Sequence, residues 1–423
     1  MESVRHMAAS QGATGTSHPL LKRLVLSRVA GLRNGQLTIT DAHGEWHLGV
    51  PAADGLRVRL TVVRDRLWRR VTFGGLLAAT EAYMDGDWEV DDLTGLARLF
   101  ARNIDQVTSL DSGLGRLIQP FAALQHRLAR NDRRGSKKNI AAHYDLGTDF
   151  FELMLDETMA YSSGVFETPA ATLEEASRAK FDRLCRKLAL HAGDHLLEIG
   201  TGWGGLAIHA AREYGCRVTT TTISAQQHAH ATERVAKAGL SDRVSVLLTD
   251  YRDLTGRFSK LVSVEMIEAV GAEFFATFFR ACADRLEPDG VMALQAITVA
   301  DQRFDAARRS PDFIKHHVFP GSCIPSIAAL LEASRRRSDL RLVDLEDFTL
   351  DYARTLAAWQ QNLKRNIDAV KSMTTERFRR LWFLYLSYCE GGFHERHTGL
   401  VQMVMARPGW RGDVVRREPW TAA

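Results

Sequence analysis

The sequence is poor in the features that mark secreted, membrane-spanning and metal-binding proteins. It has only five cysteines, with no Cys-x-x-Cys pair and no histidine cluster at metal-ligand spacing, which predicts reduced thiols, a cytoplasmic location and no metal site. The segment from Met1 to Pro19 is polar and lacks the apolar core of a signal peptide. No run approaches the roughly 20 apolar residues of a membrane helix. Any membrane contact is therefore expected to be peripheral.

Charge of either sign is also modest. The chain carries 55 basic and 51 acidic residues, a net charge of +4, which is too weak to indicate nucleic-acid binding but is compatible with an anionic membrane surface. With 45% hydrophobic residues, the 423-residue chain can bury a sizeable core. Because domains usually run to about 100–200 residues, this length predicts two of them.

A change of composition predicts where the domains meet. Residues 127–138 are basic, poor in apolar residues and contain glycine and serine, which is typical of a solvated linker; the alternative is a strip that faces anionic lipid headgroups. Before it, strand-like stretches (36–40, 45–48, 56–63) and an amphipathic helix (96–107) predict a mixed α+β domain. The predicted divisions are a flexible segment at 1–19, an N-terminal domain at 20–129, a linker at 130–138 and a catalytic domain at 139–423.

After the linker, helical and strand-like segments alternate. Strands are predicted at 195–199, 217–223, 244–248, 261–264 and 291–298, and helices at 173–190, 206–214, 225–238 and 273–285. This alternation predicts a doubly wound, mainly parallel α/β sheet. A largely helical stretch at 324–393 is expected to cover the active site.

A glycine-rich turn follows the first of these strands, in the run Glu198-Ile-Gly-Thr-Gly-Trp-Gly-Gly205. Glycine lets the backbone turn sharply and approach a ligand closely. A dinucleotide site would have the spacing G-x-G-x-x-G and an acid about 20 residues further on, whereas the next strand here ends in Thr219-Thr-Thr-Thr-Ile-Ser224. The pattern disfavours NAD and matches the first motif of class I methyltransferases, which bind S-adenosylmethionine. The alternative is a turn that serves only helix–strand packing.

Five motifs, in order, resemble the cyclopropane-fatty-acyl-phospholipid synthase family, which includes mycolic acid cyclopropane synthases and fatty-acid C-methyltransferases. The likeness runs from about residue 138 to about 407 and extends weakly upstream through 81–89. The motifs are Met159-Ala-Tyr-Ser-Ser-Gly-Val-Phe166, the glycine turn, Val264-Glu-Met-Ile-Glu-Ala-Val-Gly271, Phe319-Pro-Gly321 and Ser387-Tyr-Cys-Glu-Gly-Gly-Phe393. The resemblance implies a class I methyltransferase (Rossmann-like) fold with a smaller N-terminal domain and helical additions over the active site.

The resemblance also assigns residues to the cofactor. Thr222 and Gln227 would lie near the ribose of S-adenosylmethionine, and Asp250 near the adenine. The complete set of expected cofactor contacts is Tyr161, Ser162, Gly200, Gly202, Gly204, Thr222, Gln227 and Asp250.

A bicarbonate ion is the catalytic base that the resemblance implies, held by a Glu, a His, a Tyr and two backbone groups. In this sequence Glu268 would accept the O–H of the ion, and Tyr352 and the backbone of Ser163 and Ile297 would complete its ligands. Cys389 joins the predicted catalytic set through its motif, although no His or Lys lies beside it in sequence to activate its thiol.

Two positions depart from the family pattern. Ser163 replaces the cysteine of the family's Tyr-Ser-Cys motif, which changes little if only its backbone is used. Gln295 stands where the family commonly has histidine. An amide can donate a hydrogen bond to an anion but cannot titrate, so the affinity for bicarbonate and the pH dependence are expected to change.

The predicted reaction transfers a methyl(ene) group from S-adenosylmethionine to the cis double bond of an unsaturated acyl chain of a membrane phospholipid. A carbocation forms and bicarbonate deprotonates it, which gives a cyclopropane. The alternatives are a C-methyltransferase that makes methyl-branched or methylene chains, and a catalytically inactive lipid-binding relative. Expected partners are the acyl chains, the membrane surface and a second copy of the chain, with docking or dimerisation through the N-terminal domain.

Overall fold

The computed structural model describes residues 18–107, 147–310 and 312–414. They fall in two compact units: residues 18–107 with Thr374–Glu395, and residues 147–373 with those from Arg396 onwards. The predicted linker at 130–138 and nearly all of the segment 1–19 lie outside the described residues. None of the described helices is both long and apolar enough to cross a bilayer.

The first unit is a four-stranded sheet with helices, as its alternating sequence predicts. The strand order is β2-β1-β3-β4, with β1 antiparallel to β2 and parallel to β3, and β4 antiparallel to β3. The strands are β1 (Gly35–Asp41), β2 (Gly44–Val50), β3 (Arg57–Val62) and β4 (Trp88–Val90). The helices are α1 (Pro19–Val29), α2 (Arg66–Met84), α3 (Leu93–Arg102), α4 (Ile104–Val107) and, from late in the chain, α15 (Glu376–His394).

The predicted helix at 96–107 is two helices that meet at Asn103. Its side-chain amide donates to the carbonyl oxygens of Leu99 and Arg33, at 2.8 and 2.6 Å. At the other end, the Asp92 side chain accepts from the Gly95 N–H and caps α3. Asn side chains compete with the helical backbone for hydrogen bonds, which explains the interruption.

Helix α15 packs in the first unit, whereas the sequence prediction places its residues in the catalytic domain. Gly391 makes this packing close, because a Cβ at this position would lie 2.6 Å from the Cβ of Ala97 and 2.8 Å from the backbone nitrogen of Arg98, both on α3. An amphipathic pattern shows that a helix packs but not against which partner. Gly391, part of one family motif, therefore has a packing role.

Replacing Gly391 by valine is expected to destabilise the first unit by roughly 1–3 kcal/mol or more, because an overpacked side chain must push α3 and α15 apart. Thermal unfolding of the full chain would measure the change. Gly31→Val is a matched control in the same unit, since Gly31 is exposed and a Cβ there meets nothing within 4 Å. Equal melting temperatures for the two variants would contradict this packing role.

The second unit is the predicted doubly wound α/β domain, which confirms the fold class. Its seven strands have the order β10-β11-β9-β8-β5-β6-β7. Strands β5 to β9 are parallel, and β11 is antiparallel to both β9 and β10. The strands are β5 (His195–Ile199), β6 (Arg217–Thr222), β7 (Val244–Leu248), β8 (Phe258–Val264), β9 (Leu286–Val299), β10 (Arg341–Asp347) and β11 (Thr398–Ala406).

Ten α-helices of this unit lie within the described ranges. They are α5 (Thr148–Met154), α6 (Leu173–Lys187), α7 (Gly205–Glu213), α8 (Ala225–Lys237), α9 (Phe275–Arg285), α10 (Asp301–Arg309), α11 (Phe313–His317), α12 (Ile327–Arg337), α13 (Thr349–Arg365) and α14 (Ile367–Met373). The stretch 324–393, predicted as largely helical, also contains β10. Among the described strands, this edge strand pairs only with β11, and its half-exposed, acid-containing sequence carries little strand signal.

The strand order creates a switch point at β5. From this strand the chain continues to β6 on one side, while β8 pairs with its other side. In open parallel sheets, ligands bind outside the carboxyl ends of the strands at such a point. The glycine turn at 200–205 begins where β5 ends.

Candidate active site

The glycine turn joins β5 to α7 with three residues in backbone conformations that favour glycine. Gly200, Gly202 and Gly204 have φ values of 105°, 52° and 85°. The turn ends where α7 starts, so its backbone N–H groups and the helix N-terminus meet in front of the sheet. This is the strand–turn–helix context that the motif requires.

A cavity of about 240 Å³ lies in front of this turn. Its wall includes seven of the eight predicted cofactor residues: Tyr161, Ser162, Gly200, Gly202, Thr222, Gln227 and Asp250. The eighth, Gly204, packs against α8, where a Cβ would approach that of Ala231 to 3.2 Å. The structure therefore brings these seven residues together around one space, and their individual contacts with a cofactor stay predictions.

Several of the predicted cofactor residues already make hydrogen bonds within the protein, among them Thr222, Gln227 and Asp250. Thr222 donates to the side-chain oxygen of Gln227 at 2.9 Å. The Asp250 carboxylate accepts from the backbone N–H of Arg252 and from its guanidinium, at 2.6–2.9 Å. These bonds fix the orientation of the side chains before any ligand arrives.

A buried lysine, Lys180, contacts Ser162 in the wall of the same cavity and was missed by sequence reasoning. Its ammonium group donates to the Ser162 hydroxyl at 2.6 Å, and the side chain is fully buried. Burial lowers the pKa of Lys180 to about 8. A lysine on the apolar face of α6, next to Phe181 and Leu184, was the available signal.

The predicted catalytic residues of the second unit gather around Glu265, which sequence reasoning did not select. Its carboxylate accepts from the Ser163 backbone N–H at 3.0 Å, from the Gln295 amide at 2.7 Å and from the Tyr352 hydroxyl at 2.7 Å. Glu265 also lines the cavity. The available signal was an acid directly after strand β8, inside a family motif and three residues before Glu268.

Glu268 lies beside this group on a short 3-10 helix, Ile267–Ala269. One carboxylate oxygen accepts the Ile297 backbone N–H at 2.5 Å, and the other is buried with no hydrogen-bond partner among the described residues. Burial, and then the charge of Glu265, raise the pKa of Glu268 to about 8. Glu268 is therefore the carboxyl group of the pair that holds a proton near neutral pH.

Burial also raises the pKa of Glu265, but the Tyr352 hydroxyl, Lys180, Gln295 and the Ser163 N–H all act in the opposite direction. Two adjacent buried carboxylates cannot both ionise readily. Because Glu265 accepts three hydrogen bonds and Glu268 accepts one, the negative charge belongs on Glu265.

A bicarbonate ion does not fit this cluster as it is arranged. The donors that the family resemblance assigns to the ion are present, but Ser163, Gln295 and Tyr352 donate to Glu265, and Ile297 donates to Glu268. The predicted residues thus come together, while the ion's place is taken by a side chain. Cys389 lies on α15 in the first unit, partly exposed, and its catalytic role stays a prediction.

The mainly parallel sheet, the glycine turn at its switch point and the cavity in front of it define a class I S-adenosylmethionine-dependent methyltransferase. A mycolic acid cyclopropane synthase, CmaA1, in a complex with SAH and CTAB has a similar structure, with a TM-score of 0.60 and 30% identity over 64% of this chain and 98% of that one.

Sequence comparison narrows the class to a family. The chain is 37% identical to the tuberculostearic acid methyltransferase UfaA1 of Mycobacterium tuberculosis, over 85% of each chain. It is 36% identical to the cyclopropane-fatty-acyl-phospholipid synthase of Escherichia coli, over 80% of this chain and 85% of that one. The chain belongs to the family described as mycolic acid cyclopropane synthetase, whose model matches residues 131–403. It is a methyltransferase of the cyclopropane synthase type, with S-adenosylmethionine as its methyl donor and lipid acyl chains as the family's acceptors.

Proposed function

We propose that this enzyme transfers a methyl group from S-adenosylmethionine to the double bond of an unsaturated acyl chain carried by a membrane phospholipid. The observation that carries the proposal is the shared cavity. Its wall joins the glycine turn to Glu265, and Val270, Phe319 and Pro320 add an apolar surface. An alkene has no polar group to recognise, so an apolar wall beside the methyl donor is the chemistry that would hold it.

The reaction needs alignment first, because an isolated alkene is a weak nucleophile. Its π electrons form a bond to the sulfonium methyl carbon, and the S–CH3 electron pair returns to sulfur. This step releases neutral S-adenosylhomocysteine. The positive charge is now on the other carbon of the former double bond. Holding the two carbons in contact contributes up to about 7–11 kcal/mol to such a step. A negative carboxylate in a low-dielectric site stabilises the developing cation.

Loss of a proton then determines the product. If a C–H bond of the transferred methyl breaks and its electron pair closes on the cation, the product is a cyclopropane, which is the product we propose first. A second candidate begins with a hydride shift that moves the cation to the methylated carbon. Breaking a C–H bond of the methyl then forms the double bond of a methylene chain, and breaking a C–H bond of a neighbouring chain carbon instead forms the double bond of a methyl-branched alkene. The similarity to a tuberculostearic acid methyltransferase and the replacement of the family's histidine by Gln295 favour this second candidate.

The substrate places the enzyme at the membrane. The E. coli relative is named for a fatty-acyl-phospholipid, and a chain held in a bilayer must be reached from its surface. We further propose that the enzyme binds the cytoplasmic surface of the membrane peripherally, through its N-terminal domain. We also propose that it acts as a homodimer. Flotation with vesicles and sedimentation of the purified protein would test attachment and dimerisation.

The proposed reaction is tested by incubating the enzyme with methyl-labelled S-adenosylmethionine and vesicles of oleoyl phosphatidylethanolamine and phosphatidylglycerol. We expect S-adenosylhomocysteine and label in the lipid. Proton NMR separates the two products, because ring methylene protons resonate upfield and exocyclic methylene protons resonate in the vinyl region. Vesicles with saturated chains are the control. Release of S-adenosylhomocysteine that does not depend on the double bond would contradict the proposal, and no release at all would favour a lipid-binding relative without catalysis.

A further inference from the structure

One carboxylate in this enzyme has the surroundings of a bound anion. Its three donors come from separate parts of the second unit: Ser163 before α6, Gln295 in β9 and Tyr352 in α13. Glu265 itself has a left-handed backbone, with φ of 48°. Such conformations are unusual for glutamate and occur preferentially at functional sites. The protein therefore holds this side chain in one place from several directions.

The orientation of Gln295 is fixed from behind. Its side-chain oxygen accepts from the amide of Gln402 at 2.9 Å, which leaves its NH2 group to donate to Glu265. Both glutamines are fully buried. A neutral histidine at position 295 could also donate one hydrogen bond, but its protonation changes with pH, whereas an amide does not titrate. The hydrogen bond from Gln402 thus orients Gln295 so that its NH2 group donates to the carboxylate of Glu265.

Only one carboxyl group of the acidic pair reaches the substrate space. Glu265 lines the cavity, whereas Glu268 and Tyr352 are buried and are not among the described residues of its wall. The group that faces the cavity is also the one that carries the charge. The buried ammonium of Lys180 further favours this charged form.

We infer that the Glu265 carboxylate is the catalytic base of this enzyme, built into the chain at the place where the family resemblance puts a bicarbonate ion. The inference rests on the proposed function and deepens it. After methyl transfer, a C–H bond of the new methyl breaks, its electron pair forms the last carbon–carbon bond of the product, and the proton goes to Glu265. The neutral Glu265 returns the proton to water when the product leaves.

Bicarbonate dependence is the first test. The wild-type enzyme should turn over equally fast in carbon-dioxide-free buffer with and without added bicarbonate, in the vesicle assay described above. A severalfold rise on adding bicarbonate would overturn the inference. If the wild type releases no S-adenosylhomocysteine under either condition, it is the proposed function that fails, and the binding experiment below still tests the site.

Binding of bicarbonate is measured without turnover, by titrating ¹³C-bicarbonate into the protein saturated with S-adenosylhomocysteine. We expect no saturable binding to the wild type and a new site in Glu265→Gly, where the carboxylate is removed and its donors are released. Circular dichroism and the melting temperature verify that the variant is folded. Saturable binding to the wild type, or none to a folded Glu265→Gly, overturns the inference that this carboxylate occupies an anion site.

The variant Glu265→Gln distinguishes a catalytic role of this residue from a purely structural one. The amide keeps the shape of the side chain but cannot accept the proton, so kcat should fall by roughly 100-fold or more. The Kd for S-adenosylmethionine should stay within about threefold of wild type, as expected for a group that acts on the chemical step. Glu213→Gln, at an exposed position on α7, is the matched control. A Glu265→Gln enzyme with nearly wild-type kcat would overturn the inference.

Discussion

Replacing Gly202 by valine should abolish S-adenosylmethionine binding in a protein that remains folded. A Cβ at this position meets no atom within 4 Å, and Gly202 lines the cavity in front of the turn. The valine would therefore project into the space proposed for the cofactor. Calorimetric titration should show Kd rising by roughly 100-fold or more, which corresponds to about 2.7 kcal/mol of binding free energy.

Backbone strain must be separated from this steric effect. With φ of 52°, Gly202 is in the left-handed region, where a β-branched residue costs about 1–2 kcal/mol. Gly239→Val is the matched control, since Gly239 has φ of 68°, is exposed and has equally open surroundings beyond the end of α8. Both variants should lose similar stability, and only Gly202→Val should lose the cofactor. Wild-type affinity in Gly202→Val would show that the cofactor binds elsewhere.

Removing the Tyr352 hydroxyl should slow turnover and move its pH dependence upward. The hydroxyl donates to Glu265 at 2.7 Å and lowers the pKa of that carboxyl group. A hydrogen bond to a charged group contributes about 1.5–3 kcal/mol, or roughly one to two pKa units. In Tyr352→Phe the pKa of Glu265 rises, so the base stays protonated to higher pH. On the acidic limb of the profile, kcat should fall by roughly 10–100-fold.

The direction of the pH effect distinguishes this role from a loss of structure. Activity of Tyr352→Phe should recover as the pH rises, while a damaged fold would lower kcat at every pH. Tyr214→Phe is the matched control: the Tyr214 hydroxyl also donates to a carboxylate, that of Asp182 at 2.6 Å, in the same unit but outside the wall of the cavity. The measurement is kcat against pH, together with the Kd for S-adenosylmethionine. An unshifted acidic limb would contradict the link between Tyr352 and Glu265.

Sequence reasoning reached the sheet and the glycine turn because both are local. The strand at 195–199 is predicted with the same bounds as the structure shows, since a short apolar run followed by glycine is a strong signal. The sequence did not predict strand β10 or the packing of α15 against α3. An edge strand with acidic residues has little pattern of its own, and close packing of Gly391 on α3 joins residues almost 300 positions apart.

In the active site, local sequence patterns were likewise unable to distinguish the roles of Glu268 and Glu265. Glu268 was chosen by its position in a motif, and the motif also contains Glu265 without marking its role. What distinguishes the two acids is the number of donors that surround each one. Those donors come from 163, 295 and 352, and no spacing rule connects them.

The order of helices and strands, the turn that suits a sulfonium cofactor and the family motifs were all determined by the sequence itself, because periodicity and glycine placement act over a few residues. Only the tertiary structure decided which acid carries the charge. Burial makes two adjacent carboxyl groups compete for one proton, and hydrogen bonds from distant strands and helices settle that competition in favour of Glu265.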